Sequence, residues 1–352
     1  MKIERASPSK IESVDFKNLS FGQTFTDHMF VCDYKNGQWA DPRIIPYQAL
    51  QMDPSCSVFH YGQAVFEGMK AYKDEKGNAW LFRPEDNHAR INISAKRLAM
   101  PEFPKKYFMA ALNELLTLDH EWIKPGIGNS LYVRPFIFAN QAGVSAAASN
   151  QYKFMIICAP VSAYYGGELN VLIAENFSRA ASGGVGYAKA AGNYAAQFYP
   201  TQLAQEKGYQ QIIWTDANSH EYLEEAGTMN VFFRIDDTLI TAPTTDTILD
   251  GITRKSVIQI AQDEGLDVEV RPIKVSEVLE AHDQGRLKEV FGAGTAVVIS
   301  RINSLGYRDK QYLLQEQPDS FALRLKDKIM GIQYNQIADP YGWRYAVSPV
   351  SV

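Results

Sequence analysis

Lys189 is the residue whose surroundings in this chain most favour covalent chemistry. It follows the glycine-rich residues 183–186 and precedes Asn193 and Tyr194, and its sequence neighbours are small or aromatic, with no acid among them. Lysine is rarely fully buried. An amine that loses hydration favours its neutral form and becomes a nucleophile towards aldehydes and ketones. The segment therefore indicates a lysine that forms a Schiff base, or alternatively a lysine on a glycine-rich surface loop.

Two glycine-containing segments could hold an anionic group. Asp250-Gly251-Ile252-Thr253 opens a predicted helix, whose first N–H groups lack intrahelical partners and lie at the positive end of the dipole. A simple helix cap is the alternative. Gly292-Ala293-Gly294-Thr295 resembles a truncated dinucleotide fingerprint, but Val297 occupies the third glycine position and a strand follows. A backbone anion nest is the interpretation that remains for this second segment.

Two adjacent acids, Glu224 and Glu225, stand just before Gly227 and a predicted strand. Such a pair usually has one carboxylate in solvent and one directed inward. An inward carboxylate beside a pyridine nitrogen would keep that nitrogen protonated and the ring electron-poor. A pair of surface acids is the alternative interpretation.

The composition is typical of a globular protein that acts on small molecules. A length of 352 residues allows two domains, and the apolar fraction is 46%. The net charge of −5 and the absence of a long basic run argue against the basic surface that nucleic-acid-binding proteins usually have. The six histidines show no metal-ligand spacing, so His60 and His88 are interpreted as packing or surface residues.

The cysteines and the N-terminus indicate a reducing compartment. Cys32, Cys56 and Cys158 are odd in number and far apart, which predicts reduced, mostly buried thiols. The N-terminal residues lack the apolar stretch of a signal peptide, and no run approaches the ~20 apolar residues of a membrane span. We therefore expect a cytoplasmic location.

Periodicity and turn signals predict the elements that must position these residues. Helices are expected at about 84–99, 106–122 and 253–264, and from Ser276 as N-cap to Gly285. Hairpin loops are expected at 34–37 and 73–78. Strands are expected at 130–138, 152–159, 171–174, 211–215, 231–235, 239–241 and on both sides of a glycine turn at 292–295. Tyr132 and Arg134, two residues apart, share one face of their strand.

The motifs, in their order, resemble those of branched-chain amino-acid aminotransferases of the fold type IV class. The resemblance runs from about Tyr61 to Ile299. It rests on Tyr61, residues 66–72 (Phe-Glu-Gly-Met-Lys-Ala-Tyr), 81–84 (Leu-Phe-Arg-Pro), 131–135 (Leu-Tyr-Val-Arg-Pro), 189–194, 225–230 (Glu-Ala-Gly-Thr-Met-Asn) and 291–295. Members of that class use pyridoxal 5′-phosphate (PLP).

The resemblance implies an α/β (α+β) fold of two domains. A smaller N-terminal α/β domain would cover residues 1–163, and 164–170 would form the linker. A larger C-terminal domain with a barrel-like sheet, residues 171–352, would anchor PLP.

The resemblance also implies a role for each matching residue. Lys189 would form the Schiff base and shuttle a proton between the substrate α-carbon and the cofactor, Tyr194 would bond the ring hydroxyl, and Glu225 the pyridine nitrogen. The implied cofactor-binding residues are Arg90, Tyr194, Glu225, Thr228, Leu249, Gly251, Ile252, Thr253 and Thr295, of which Arg90, Ile252, Thr253 and Thr295 would hold the phosphate.

The implied substrate site has a carboxylate end and an apolar end. Its residues are Tyr61, Phe66, Tyr132, Arg134, Val144, Tyr164, Thr295 and Ala296. Tyr132 and the N–H groups of Thr295 and Ala296 would bind the α-carboxylate, and Arg134 the side-chain carboxylate of glutamate. The family forms homodimers, in which the loop around Val144 would close the neighbouring subunit's pocket.

The implied reaction is transfer of the amino group of leucine, isoleucine or valine to 2-oxoglutarate. Two rivals within the same class are a D-amino-acid aminotransferase and an aminodeoxychorismate lyase, against which residues 66–72 and the Tyr132/Arg134 pair argue. A non-enzymatic small-molecule binding protein is the rival from a different class. A protein loaded with PLP is yellow, and addition of an L-amino acid would shift its colour only if a half-reaction occurs.

Overall fold

The computed structural model describes residues 1–162 and 169–348. Its α-helices are α1 (Ser57–Tyr61), α2 (Pro84–Arg97), α3 (Lys105–Leu118), α4 (Ala191–Ala195), α5 (Phe198–Glu206), α6 (Ile252–Asp263), α7 (Val275–Asp283) and α8 (Phe321–Gln333). Its strands are β1 (Lys2–Ile3), β2 (His28–Lys35), β3 (Gln38–Pro46), β4 (Ala64–Phe66), β5 (Met69–Lys73), β6 (Ala79–Phe82), β7 (Ser130–Ala139), β8 (Tyr152–Val161), β9 (Asn170–Ile173), β10 (Gln211–Thr215), β11 (Tyr222–Ala226), β12 (Asn230–Ile235), β13 (Thr238–Thr241), β14 (Asp267–Val270), β15 (Ile273–Lys274), β16 (Leu287–Gly294), β17 (Val298–Arg301), β18 (Ser304–Tyr307), β19 (Lys310–Leu313) and β20 (Arg344–Ala346).

The described residues divide into two compact units. The first contains residues 1–162, 188–191 and 331–348, and the second contains 169–187 and 192–330. Lys189 thus belongs to the first unit, although the chain on both sides of 188–191 belongs to the second. The domain boundaries expected from the sequence stay a prediction, and most of the expected linker lies outside the described residues.

The first unit is built on a nine-stranded sheet in the order β1-β3-β2-β8-β7-β5-β6-β20, with β4 paired to β7. Leu131, Val133 and Ile137 of β7 are fully buried in its main hydrophobic cluster, to which α2 and α3 also contribute. Side chains alternate between the two faces of a strand. The same alternation therefore places Tyr132 and Arg134 together on the opposite face of β7.

The second unit is built on an eleven-stranded mixed sheet in the order β14-β13-β12-β11-β10-β9-β18-β19, with β15 on β11 and β16 between β12 and β17. Its main cluster includes Val171, Ile213, Val231 and Leu305. The hairpin of β11 and β12 pairs Glu225 directly with Asn230. Residues 225–230 therefore form a tight turn that brings these two polar side chains side by side.

Most predicted elements are confirmed, and the differences have local causes. Helix α2 has Pro84 in its first turn followed by two acids, as expected. The predicted helix at 106–122 is two elements, since α3 stops at Leu118 and a 3-10 turn covers His120–Trp122. The prediction of Ser276 as N-cap is wrong, because α7 begins at Val275 and its N-cap is Lys274.

The glycine turn predicted at 292–295 is also wrong for its first three residues. Gly292 to Gly294 belong to strand β16, paired with β12 on one side and β17 on the other. A Cβ on Gly292 would lie 2.6 Å from the Met229 sulfur. These glycines therefore allow β16 and its neighbours to pack closely against the 225–230 turn. Close packing, and not a chain turn, explains why glycine occupies these positions.

The cysteine prediction is confirmed, since Cys32, Cys56 and Cys158 are free and buried. Within residues 1–162 and 169–348, every helix is too short or too polar to cross a lipid bilayer.

Candidate active site

Lys189 is held in the first unit by its main chain. Its N–H donates to the buried Ser94 hydroxyl of α2 at 2.8 Å, and its carbonyl accepts from the Phe66 N–H at 3.1 Å. The next residue, Ala190, forms a β-bridge with Val65. The Lys189 ammonium lies 4.8 Å from the centroid of the Phe66 ring, within cation–π range. A short segment is thus fixed at both ends so that its amine faces an aromatic wall.

A buried carboxylate, Glu67, lies beside this segment. Its side chain is 0% exposed and accepts from Arg90 through Nε at 2.7 Å and Nη2 at 2.8 Å, and from the Asn87 amide at 2.7 Å. Burial by itself would raise the pKa of Glu67, but the charge and hydrogen bonds of Arg90 and the charge of Lys189 outweigh it and lower the pKa. The sequence places no acid near Lys189, whereas the fold supplies one.

Tyr132 and Arg134 form a second cluster around Phe66. Arg134 donates from Nη2 to the Tyr132 hydroxyl at 2.9 Å, and its guanidinium lies 4.4 Å from the Phe66 centroid. The Arg134 Nε is buried and has no hydrogen-bond partner among the described residues. An unpaired guanidinium donor is well suited to a carboxylate ligand.

Gly68 makes room for the Tyr132 hydroxyl. A Cβ on Gly68 would lie 2.2 Å from that oxygen, so Gly68→Ala must move the tyrosine ring. If Tyr132 binds the α-carboxylate of an amino acid, as the resemblance implies, Gly68→Ala should raise KM for amino-acid substrates by roughly 2- to 10-fold through one weakened hydrogen bond, with a smaller change in kcat. Steady-state kinetics of the wild type and the variant test this. An unchanged KM would contradict the placement.

Tyr61 and Val144 lie together at the surface of the first unit. The Tyr61 hydroxyl donates to the Val144 carbonyl, and the two residues are 45% and 63% exposed. Their role in a neighbouring subunit's pocket stays a prediction. Tyr164 lies outside the described residues.

Glu225 is the centre of a polar cluster in the second unit. It is 4% exposed, forms an ion pair with Arg179 at 2.7 Å, and accepts from Asn230 at 3.0 Å and from the Leu249 N–H at 3.3 Å. Glu224 is buried as well and accepts from the Thr247 hydroxyl at 2.6 Å. Burial raises the pKa of Glu224. The expectation that one acid of the pair lies in solvent is therefore wrong.

The start of α6 is shaped by the same cluster. Gly251 is the N-cap, no side chain among the described residues caps the helix, and Ile252 and Thr253 are buried in its first turn. A Cβ on Gly251 would lie 1.9 Å from the Asn230 amide oxygen. Glycine is therefore required where the hairpin packs on the helix start, and the first-turn N–H groups remain suited to an anion.

The remaining predicted cofactor and substrate residues of the second unit differ in exposure. Tyr194 and Thr295 are half-buried, whereas Thr228 and Ala296 are exposed. Thr228 accepts a 3.4 Å hydrogen bond from the Gln211 amide.

Comparison with known proteins assigns the chain to a family. The family described as Amino-transferase class IV matches residues 64–305. A "Probable branched-chain-amino-acid aminotransferase" of Staphylococcus epidermidis is 43% identical, covering 99% of this chain and 98% of the relative. "Branched-chain-amino-acid aminotransferase 2" of Bacillus subtilis is also 43% identical, with coverage of 100% and 98%. The chain belongs to the class IV aminotransferases.

Solved structures agree with this aminotransferase assignment. The branched-chain amino acid aminotransferase of Escherichia coli has a TM-score of 0.75 and 26% identity, covering 92% of this chain and 99% of that one. The branched-chain aminotransferase of Thermoproteus uzoniensis, solved with norvaline, has a TM-score of 0.75 and 24% identity, with coverage of 91% and 99%. The resemblance and the fold class inferred from the sequence are confirmed.

The residues of this aminotransferase fit PLP, the cofactor of its class. The first unit offers a primary amine, Lys189, and a buried guanidinium, Arg90. The second offers a buried carboxylate, Glu225, and the start of α6, where Gly251 is the N-cap and no side chain among the described residues caps the helix. An aldehyde, a phosphate and a protonated ring nitrogen are the groups that these donors and acceptors complement.

Two residues of the site have no role assigned from the sequence. Glu67 enters the sequence interpretation only as part of residues 66–72, and Arg179 does not enter it. The sequence feature that could have identified each is a charged residue among apolar or small neighbours. These neighbours are Phe66 and Gly68 for Glu67, and Ala180 and Ala181 for Arg179. Neither partner can be read from the sequence, because Arg90 is 23 positions away and Glu225 is 46 positions away.

Proposed function

We propose that this aminotransferase moves the amino group of L-leucine, L-isoleucine or L-valine to 2-oxoglutarate by a ping-pong cycle, giving branched-chain 2-oxo acids and L-glutamate. The observation that carries this proposal is 43% identity over essentially the whole chain to relatives named for branched-chain amino acids.

Lys189 is proposed as the residue that takes and returns the proton at the substrate α-carbon. Bound PLP supplies the electron-withdrawing ring that makes this hydrogen acidic. The main-chain bonds to Ser94 and Phe66 restrict where the Lys189 amine can reach. A base fixed in this way contributes through orientation as well as basicity.

Tyr132 and Arg134 are proposed to orient the substrate carboxylates. The Tyr132 hydroxyl would bond the α-carboxylate, and the Arg134 guanidinium the side-chain carboxylate of glutamate. The unpaired Nε of Arg134 and its stacking on Phe66 support this role. An apolar wall with one guanidinium can accept leucine and glutamate in alternate half-reactions. Phe66, Tyr61, Val144 and Tyr164 are proposed as the apolar walls, with Thr295 and Ala296 at the α-carboxylate.

The cofactor-holding roles inferred from the resemblance remain part of the proposal. The buried helix start supports Gly251, Ile252 and Thr253 as phosphate ligands, and the position of Glu225 among donors supports an ionised carboxylate. Arg90, Tyr194, Thr228, Leu249 and Thr295 complete the proposed set.

Glu225→Gln should reduce kcat more than cofactor affinity. The neutral amide cannot keep a pyridine nitrogen protonated, and losing a charged hydrogen bond costs about 1.5–3 kcal/mol, roughly a tenfold to 150-fold change. Single-turnover rates and PLP titration of the purified variant measure both effects. An unchanged kcat in PLP-saturated enzyme would refute the role.

The reaction is tested by titrating the PLP-loaded protein with single amino acids while its absorption spectrum is followed. L-leucine, L-isoleucine and L-valine should convert the spectrum, and 2-oxoglutarate should restore it. D-alanine should have no effect. Conversion by D-alanine but not by L-leucine would favour a D-amino-acid aminotransferase, and no conversion by any amino acid would favour a binding protein.

A homodimer and a cytoplasmic location complete the proposal. The exposed pair of Tyr61 and Val144 supports a surface that a second subunit would cover. Light scattering after size-exclusion chromatography should give a mass near twice 39.5 kDa.

A further inference from the structure

We propose that Arg179 is a positioning residue that keeps Glu225 ionised and correctly oriented towards the cofactor ring nitrogen. The proposal rests on the function proposed above and assigns to this reaction a residue that does not itself contact substrate.

The Arg179 guanidinium is fixed on several sides. Its side chain is 3% exposed, and Nη1 lies 2.7 Å from a Glu225 oxygen. It also donates to the carbonyls of Gly186 at 3.1 Å and Thr247 at 2.9 Å. A Cβ on Gly186 would lie 2.6 Å from the Thr247 oxygen, so glycine is what lets these two segments close on the guanidinium. A planar fork held in this way fixes the carboxylate that it binds.

The charge of Arg179 matters because Glu225 is buried. A buried carboxylate without a cation favours its protonated form. A protonated Glu225 would offer a hydrogen where the ring nitrogen needs an acceptor, and the nitrogen would lose its proton. Asn230 and the Leu249 N–H also donate to Glu225, but both are neutral. The guanidinium therefore supplies the positive charge in direct contact that these donors do not.

Arg254 is a second buried arginine whose charge interacts with that of Glu225. The charge of Glu225 is among the influences on the Arg254 pKa, which burial lowers overall. The Arg254 Nη2 donates to the Ala242 carbonyl at 2.7 Å, which directs part of the guanidinium to the main chain. Arg179 is therefore the residue to test first.

The test is a double-mutant cycle in the PLP-loaded enzyme with wild type, Arg179→Met, Glu225→Gln and the double variant. Two quantities are measured: the rate of the L-leucine half-reaction and the absorption spectrum of the bound cofactor. Arg179→Met should slow the half-reaction by at least about tenfold and change the spectrum. In the Glu225→Gln background the same change should cost under about twofold. Arg179→Lys should restore part of the rate.

Arg234→Met is the matched control. Arg234 is a buried arginine of the second unit that pairs with Glu289 and Asp319. The Arg234→Met variant should be less stable than the wild type but should keep the wild-type cofactor spectrum and half-reaction rate. If Arg179→Met does not fold, Arg179→Gln replaces it in the cycle, because glutamine retains donors for the two carbonyls without the charge.

The proposal is overturned if the Arg179 substitution slows the half-reaction by the same factor in the wild-type and Glu225→Gln backgrounds. It is also overturned if the Arg179 variant has the same cofactor spectrum and half-reaction rate as the wild type. It fails separately from the proposed function. A wild-type enzyme that ignores L-leucine refutes the function, whereas the effect of Arg179 on the cofactor spectrum through Glu225 is read before any amino acid is added.

Discussion

Lys189→Ala should lower the rate of transamination by at least about 10⁴-fold. The substitution removes the amine proposed to bond the cofactor, which is also the proposed base at the substrate α-carbon, so the loss should reach or exceed the upper limit for acid–base catalysis. The fold should survive, because the segment is held by the Lys189 N–H and carbonyl, which alanine retains. Stopped-flow measurement of the L-leucine half-reaction gives the size of the loss.

Lys106→Ala is the control for removing a lysine. Lys106 is exposed on α3 and should be replaceable with no change in rate. Circular dichroism and the unfolding midpoint of Lys189→Ala should match those of wild type without cofactor. Retention of more than about a hundredth of the wild-type rate would remove Lys189 from the centre of the mechanism.

Glu67→Gln should destabilise the cofactor-free protein by about 3–5 kcal/mol. The substitution leaves the buried Arg90 guanidinium without its counter-charge, and breaking one side of a buried ion pair has this cost. Urea unfolding measures the change. Glu85→Gln is the matched control, since the Glu85–Lys105 pair is exposed on both sides and should contribute under about 1 kcal/mol. Equal effects of the two substitutions would contradict the importance assigned to Glu67.

The Glu67 pair should also contribute to acid sensitivity. The pKa of the Glu67 carboxyl in the folded protein is lowered from the ordinary value of 4.5. The folded state therefore binds a proton less readily than the unfolded state, and the stability from this group is complete above pH 4.5. It is lost as the pH falls below that value towards the folded pKa. Glu67→Gln should therefore reduce the slope of unfolding free energy against pH below 4.5 and leave a pH-independent loss above it.

The sequence predicted the chemistry of single residues better than their partners. The start of α6 followed from helix-end physics, whereas the chemical role predicted for Lys189 from its local composition stays a prediction. The burial of Glu224 did not, because a strand with both faces covered hides adjacent side chains equally. The pairing of Glu67 with Arg90 depends on how α2 packs beside β4 and β5, which no local pattern specifies.

The same contrast holds for the fold. Alternation and turn residues located β7 and the hairpin of β2 and β3, since both signals are local. A turn was predicted at Gly292 and Gly294, but glycine is found both in turns and where two strands pack closely. The contact with Met229, which the sequence does not reveal, shows that close packing is the reason here. The grouping of residues 188–191 with the first unit depends on the bonds to Ser94 and Phe66, 95 and 123 positions away.

The most direct test is to reduce the PLP-loaded protein with borohydride, digest it and locate the pyridoxyl group by mass spectrometry. The expected result is a single labelled peptide with the modification on Lys189. Label on another lysine, such as the buried Lys70 or Lys73, or no label at all, would contradict the assignment of Lys189 as the residue that binds the cofactor.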